Sequence, residues 1–155
     1  RLERLKPVDN SQLTEPENDI LENYFPNHYM NNLKELINKI KKNGSSVYVL
    51  SLAGMMTHEN TTETEKQIMR FPRGMSRKYE LYKACYMKYQ QALDSVVKTN
   101  NVKMIDLSKL IKNPSDRTIF TDDVHINENG SEVFGSYISE SISNEISFIL
   151  NQKNK

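Results

Sequence analysis

Two short runs, Val47-Tyr48-Val49-Leu50-Ser51-Leu52 and Val102-Lys103-Met104-Ile105-Asp106-Leu107, constrain the fold of this chain more than any other feature. The first is almost continuously apolar and rich in β-branched residues, which fits a strand covered on both faces, and such strands belong to parallel sheets. Around them the apolar period changes to that of a helix. Tyr29, Leu33, Leu36, Ile37 and Ile40 predict a helix over 28–42 that stops at Asn43-Gly44. From Ser76 a longer helix carries Tyr79, Tyr82, Tyr86, Tyr89, Leu93, Val96 and Val97 at alternating spacings of three and four, a stripe expected to face a core. A short turn or helix is expected near Ser108 to Lys112. A last helix then aligns Val133, Phe134, Tyr137, Ile138, Ile142, Ile146, Ile149 and Leu150 on one side. Helix, strand, helix, strand, helix is an alternating α/β order, so the strands should be parallel and their crossover right-handed. Two strands are few, because a doubly wound domain has about four to six. The chain therefore reads as the second half of such a fold.

The first 27 residues are polar and aperiodic, with Pro7, Asp9, Asn10, Pro16, Asn18, Asp19 and Pro26 scattered through them, and read as linker or surface loop. Residues 28–155 make the α/β part, and 53–75 form a long connection of the kind that usually serves function. A chain of 155 residues needs one core only. Twenty-one basic residues against twenty acidic ones, with the lysines dispersed, give no electrostatic case for nucleic acid or an anionic membrane. No apolar run approaches the roughly 18 residues of a membrane span, and no signal peptide is visible. The single cysteine, Cys85, excludes an internal disulfide framework and leaves the compartment open.

Chemistry concentrates in Phe120-Thr121-Asp122-Asp123-Val124-His125-Ile126-Asn127-Glu128-Asn129-Gly130. An acid three residues before a histidine can bond one imidazole nitrogen, fix the tautomer and turn the other nitrogen toward a nucleophile. In open parallel sheets ligands bind beyond the carboxyl ends of the strands. Both this loop and the 53–75 connection leave from those ends.

From His28 onward the chain resembles the C-terminal half of an SGNH hydrolase, the GDSL esterase/lipase family, whose last block is D-x-x-H, a short polar turn and the final helix. Here the block reads Asp122-Asp123-Val124-His125, followed by Ile126-Asn127-Glu128-Asn129-Gly130. Asn32-Leu33 with Leu36-Ile37 before Gly44, then the two apolar runs, follow the family's order. The resemblance implies an α/β fold of doubly wound, flavodoxin-like type with three α/β/α layers, of which this is the C-terminal part. It also implies a serine-dependent hydrolase of a small acyl or acetyl ester, with no cofactor or metal. His125 would be the general base and Asp122, ahead of Asp123, the acid that orients it. O-acyl transfer on the same fold and a non-catalytic α/β binding module are the alternatives. The family's G-D-S-x block is missing from the sequence, so the nucleophile is expected on the N-terminal half of the domain, in the same or another chain. The only echo of its G-x-N-D block is Pro16-Glu17-Asn18-Asp19, without the glycine or a preceding strand, and a plain polar loop is the better reading of Asn18.

The remaining candidates have plain structural readings. Asn127 fits a helix N-cap and Gly130 a packing or turn residue. The tyrosine stripe reads as core. Met55, Met56, Met69 and Met75 suit filling under a loop as well as an acyl-binding lid, and Arg70 and Arg73 read as solvated charge. His28 and His58 lack ligand-spaced partners, and Cys85 reads as a small buried side chain without a base.

Overall fold

Both apolar runs form strands in this computed structural model, which describes residues 12–51, 54, 62, 78–111, 118–122 and 125–153. Strand β1 (Tyr48–Leu50) pairs in parallel with β2 (Lys103–Ile105), Val49 standing opposite Met104. The Ser51 amide extends the ladder to the Ile105 carbonyl at 3.0 Å. Around this two-stranded sheet the described chain is mostly helical: α1 (Glu15–Asn23), α2 (Asn27–Lys42), α3 (Tyr79–Thr99), a 3-10 turn (Leu107–Leu110) and α4 (Glu128–Lys153). The protein is thus mixed α/β, as expected, with helices supplying the apolar cover that its strands require.

Strand alternation assigns the two faces. Ile105 joins Leu107, Ile111, Ile119, Phe120 and Phe134 in the main buried cluster, against which Val133, Tyr137, Ile138 and Ile142 of α4 pack. Lys103, two residues earlier, reaches the same helix by donating to the Ser141 carbonyl at 3.2 Å. Met104 between them lines a small cavity with Tyr86, Gln90 and Asp94 of α3. The α4 stripe is only partly used: Ile146 and Leu150 are exposed, because the buried cluster ends near Ile142.

Helix α2 buries Ile37 and stops where expected. Gly44 takes a φ of +74°, which only glycine adopts without strain, and its amide closes the last turn on the Lys41 carbonyl at 2.9 Å.

Within the stretch 1–27, expected to be an irregular linker or surface loop, the described residues 12–27 depart from that expectation. Residues 15–23 form helix α1, so Asn18 lies exposed on a helix instead of in a loop. The helix buries no residue, and what announces it is the capping box of Thr14 and Glu17 with Pro16 in the first turn. Its support is polar: Glu17 Oε2 accepts the Thr14 amide at 2.8 Å, the Thr14 hydroxyl at 3.0 Å and the ammonium of the buried Lys78 at 2.6 Å. The bond from Lys78, then that from the Thr14 amide, holds the Glu17 carboxyl down at about 2. A folded value below the unfolded one means that this attachment is complete above the ordinary 4.5 and lost as pH falls toward about 2. Unfolding midpoints measured in acid steps should fall over that window in the native protein and less in Glu17→Gln; equal falls would dismiss the Lys78 tie as a source of acid sensitivity.

A second polar tie joins the carboxyl ends of the strands. Ser51, buried just after β1, donates its hydroxyl to Asp106 Oδ1 at 3.0 Å and accepts the Leu107 amide at 2.8 Å. The same Asp106 oxygen accepts the Ser108 amide at 3.1 Å and its hydroxyl at 2.6 Å, which caps the 3-10 turn. Burial works to raise the Asp106 carboxyl, but the bonds from Ser108 and Ser51 outweigh it and hold the group below its usual value. Ser51→Ala strands a buried amide and should cost about 1–3 kcal/mol in urea unfolding. No measurable loss would mean that water replaces the hydroxyl there.

Candidate functional site

The loop that carries Asp122 and His125 hangs from the core at one end and from α4 at the other. Phe120 is 1 % exposed, its ring edge-on to Phe134, and it forms an antiparallel bridge with Ile126. Bonds from the Thr121 amide to the His125 carbonyl (2.8 Å) and from the Asn127 amide to the Ile119 carbonyl (2.9 Å) close the loop. Asn129 Nδ2 adds a bond to the Thr118 carbonyl at 2.8 Å. Asn127 caps α4 by accepting the Gly130 amide on Oδ1 at 2.8 Å, the role its position predicts.

Gly130 is a packing residue whose requirement is severe. A Cβ built on it would lie 2.2 Å from the Ile119 carbonyl oxygen, a backbone atom that cannot swing aside. Gly130→Ala should therefore push α4 off the loop and cost about 1–3 kcal/mol, as overpacking does. Thermal unfolding measures this, and an unchanged midpoint would show that the close approach relaxes freely.

Within that frame Asp122 and His125 meet. His125 Nδ1 lies 2.9 Å from both Asp122 oxygens, and Asp122 Oδ1 also accepts the His125 backbone amide at 2.8 Å. One carboxylate thus holds both the ring and the backbone behind it. With Nδ1 donating, a neutral imidazole carries its lone pair on Nε2. Among the described residues Nε2 has no hydrogen-bond partner, and the side chain is 73 % exposed against 20 % for Asp122. The pair can accept a proton at Nε2 from a hydroxyl brought to it.

The other sequence candidates are dispersed. His28 is exposed on α2. Asp123, Val124, Met55, Met56, His58, Met69, Arg70, Arg73 and Met75 lie outside the described residues. Among the described residues no three metal-binding side chains are gathered.

The tyrosine stripe differs from the core expected of it. Tyr79, Leu93 and Val96 are buried, but Tyr82 and Tyr86 are half-buried and Tyr89 is exposed. Tyr82, Tyr86 and Tyr89 together with Tyr29 wall a cavity of about 710 Å³, floored by Leu50 at the end of β1, by Ser51 just beyond it and by Leu107 after β2. Tyr89 stacks edge-on to Tyr29 and shares a hydroxyl bond of 2.9 Å with Tyr24, which raises the Tyr24 phenol to about 12. Cys85 lines the same space, and burial pushes its thiol up while nearby Lys88 pulls it down. The one clue in the sequence was that the stripe consisted mostly of phenols, which prefer one wet end. No family model, curated protein or solved structure matches this chain.

Proposed function

We propose that the chain supplies the acid–histidine pair of a serine-dependent ester hydrolase of the SGNH type, as the C-terminal part of a three-layer, doubly wound domain. The observation that carries this reading is the Asp122 carboxylate, which receives His125 Nδ1 at 2.9 Å on a side chain that is 73 % exposed and whose Nε2 has no partner among the described residues. In this mechanism Nε2 takes the proton of a serine hydroxyl as it attacks the ester carbonyl, and then passes it to the departing alcohol. Asp122 holds the tautomer and stabilises the imidazolium that forms between the two steps. The serine and its oxyanion donors belong to polypeptide outside these 155 residues, since no G-D-S-x block occurs within them. The acyl group is small, and the acceptor is water; a sugar hydroxyl in its place would make the same groups an O-acyltransferase.

A fluorophosphonate probe applied to the full-length polypeptide tests the assignment. Labelling at one serine outside this segment is expected, and absence of any labelled serine removes the esterase reading. Product analysis with and without a carbohydrate acceptor then separates hydrolysis from transfer. The 73 % exposure of His125 also suits a second reading, in which the pair only secures a loop of a non-catalytic binding module. That reading requires Asp122→Asn and His125→Ala to alter stability modestly and to leave biological function intact.

A further inference from the structure

The cavity between α2, α3 and the strand ends is a separate feature that the acid–histidine pair does not use. Neither Asp122 nor His125 is among its described walls. Its volume of about 710 Å³ falls within the roughly 300–1,000 Å³ of small-molecule sites. It lies where β1 and β2 end, the edge at which open α/β sheets receive ligands. Its described walls are phenol rings, leucines, Cys85, Ser51 and Gln90, with no charged side chain among them.

The polar atoms in those walls are largely committed to one another. Ser51 is bonded to Asp106 and Leu107, Gln90 Nε2 donates to the Tyr86 hydroxyl, and the Tyr89 hydroxyl is shared with Tyr24. A ligand that brought a charge would lose its hydration without meeting a counter-charge among the described walls, whereas a hydrocarbon would bury the exposed faces of Leu50 and Tyr89. Apolar cavities that hold water poorly take up apolar molecules for this reason.

We infer that this cavity is a binding site for an uncharged, largely apolar small molecule, an alkyl or acyl chain, seated against the tyrosine face of α3. The site stands whether or not the chain belongs to an ester hydrolase, because its occupancy is read at Cys85 and not by turnover.

Cys85 is the only cysteine in the sequence, so its alkylation reports on this cavity alone. The experiment follows iodoacetamide modification of the protein at alkaline pH with decanol, decanoate or decylamine present. Decanol should slow the reaction by about tenfold once its concentration is about ten times its dissociation constant. Decanoate and decylamine should give little protection. Gln90→Lys, which adds a cation to the wall, should transfer protection from decanol to decanoate. Leu50→Trp, which enlarges a floor side chain into the cavity, should abolish protection while circular dichroism stays unchanged. Failure of decanol to protect overturns the inference, as does equal protection by all three compounds, and so does protection by decanol that persists unchanged in Gln90→Lys.

Discussion

If the chain supplies the base of an ester hydrolase as proposed, alanine at position 125 is expected to lower turnover of the full-length polypeptide by roughly 10⁴- to 10⁶-fold and to abolish fluorophosphonate labelling, with the fold intact. An effect this large is expected because in that mechanism the imidazole would act in both halves of the reaction. Stability should hardly change, since the ring is 73 % exposed and packs against little. Asp122→Asn is the more informative companion. An asparagine keeps the shape of the loop and can still accept the His125 amide, so the turn survives. Its amide group can present N–H to Nδ1, which places the imidazole proton on Nε2, the wrong nitrogen for a base, and a loss of roughly 10⁴-fold in kcat follows. An Asp122→Asn enzyme within about threefold of the native rate would remove the tautomer argument, and unchanged labelling in His125→Ala would remove the histidine from the mechanism.

Phe120→Ala should be the most damaging core substitution near the site, at about 3–5 kcal/mol. The ring is 1 % exposed and stands 6.3 Å from Phe134, centroid to centroid, at 78°. Its removal empties a space bounded by Ile105, Ile119 and α4, and these elements cannot all move inward together. Because a domain of ordinary stability holds about 5–15 kcal/mol in reserve, much of the protein would be close to unfolding at body temperature. Phe120 also begins the bridge to Ile126, so the loop should loosen and the Asp122–His125 contact with it. Phe120→Leu should cost less and keep the bridge. Urea unfolding of the two variants decides the matter: a loss under about 1 kcal/mol for alanine would show that Phe134 and its neighbours collapse into the gap.

Legibility varied with the range of the interactions involved. The strands, the stop of α2 at Gly44 and the cap at Asn127 were readable because each depends on residues within a few positions of one another. The contact between Asp122 and His125 belongs to the same class, three residues apart. Helix α1 had a local start signal, the Thr14–Glu17 capping box with Pro16 in the first turn, but no buried stripe to extend it, and its tie to Lys78 lies far along the chain. The bond between Ser51 and Asp106 joins two strand ends 55 residues apart and has no local signature. The α4 stripe was correctly aligned and too long, because periodicity marks which residues share a face and says nothing of how far the covering core extends.

The order of elements, the parallel sense of the two strands and the acid–histidine spacing follow from the sequence by itself, since hydrophobic period and short-range hydrogen bonds are properties of neighbouring residues. Only the tertiary structure decided that the tyrosines of α3 line a cavity, that Gly130 must lack a side chain beneath Ile119, and that Glu17 of α1 is paired with Lys78. Each of these depends on which distant surface lies opposite, and burial, close approach and ion pairing arise only once the chain has been brought together.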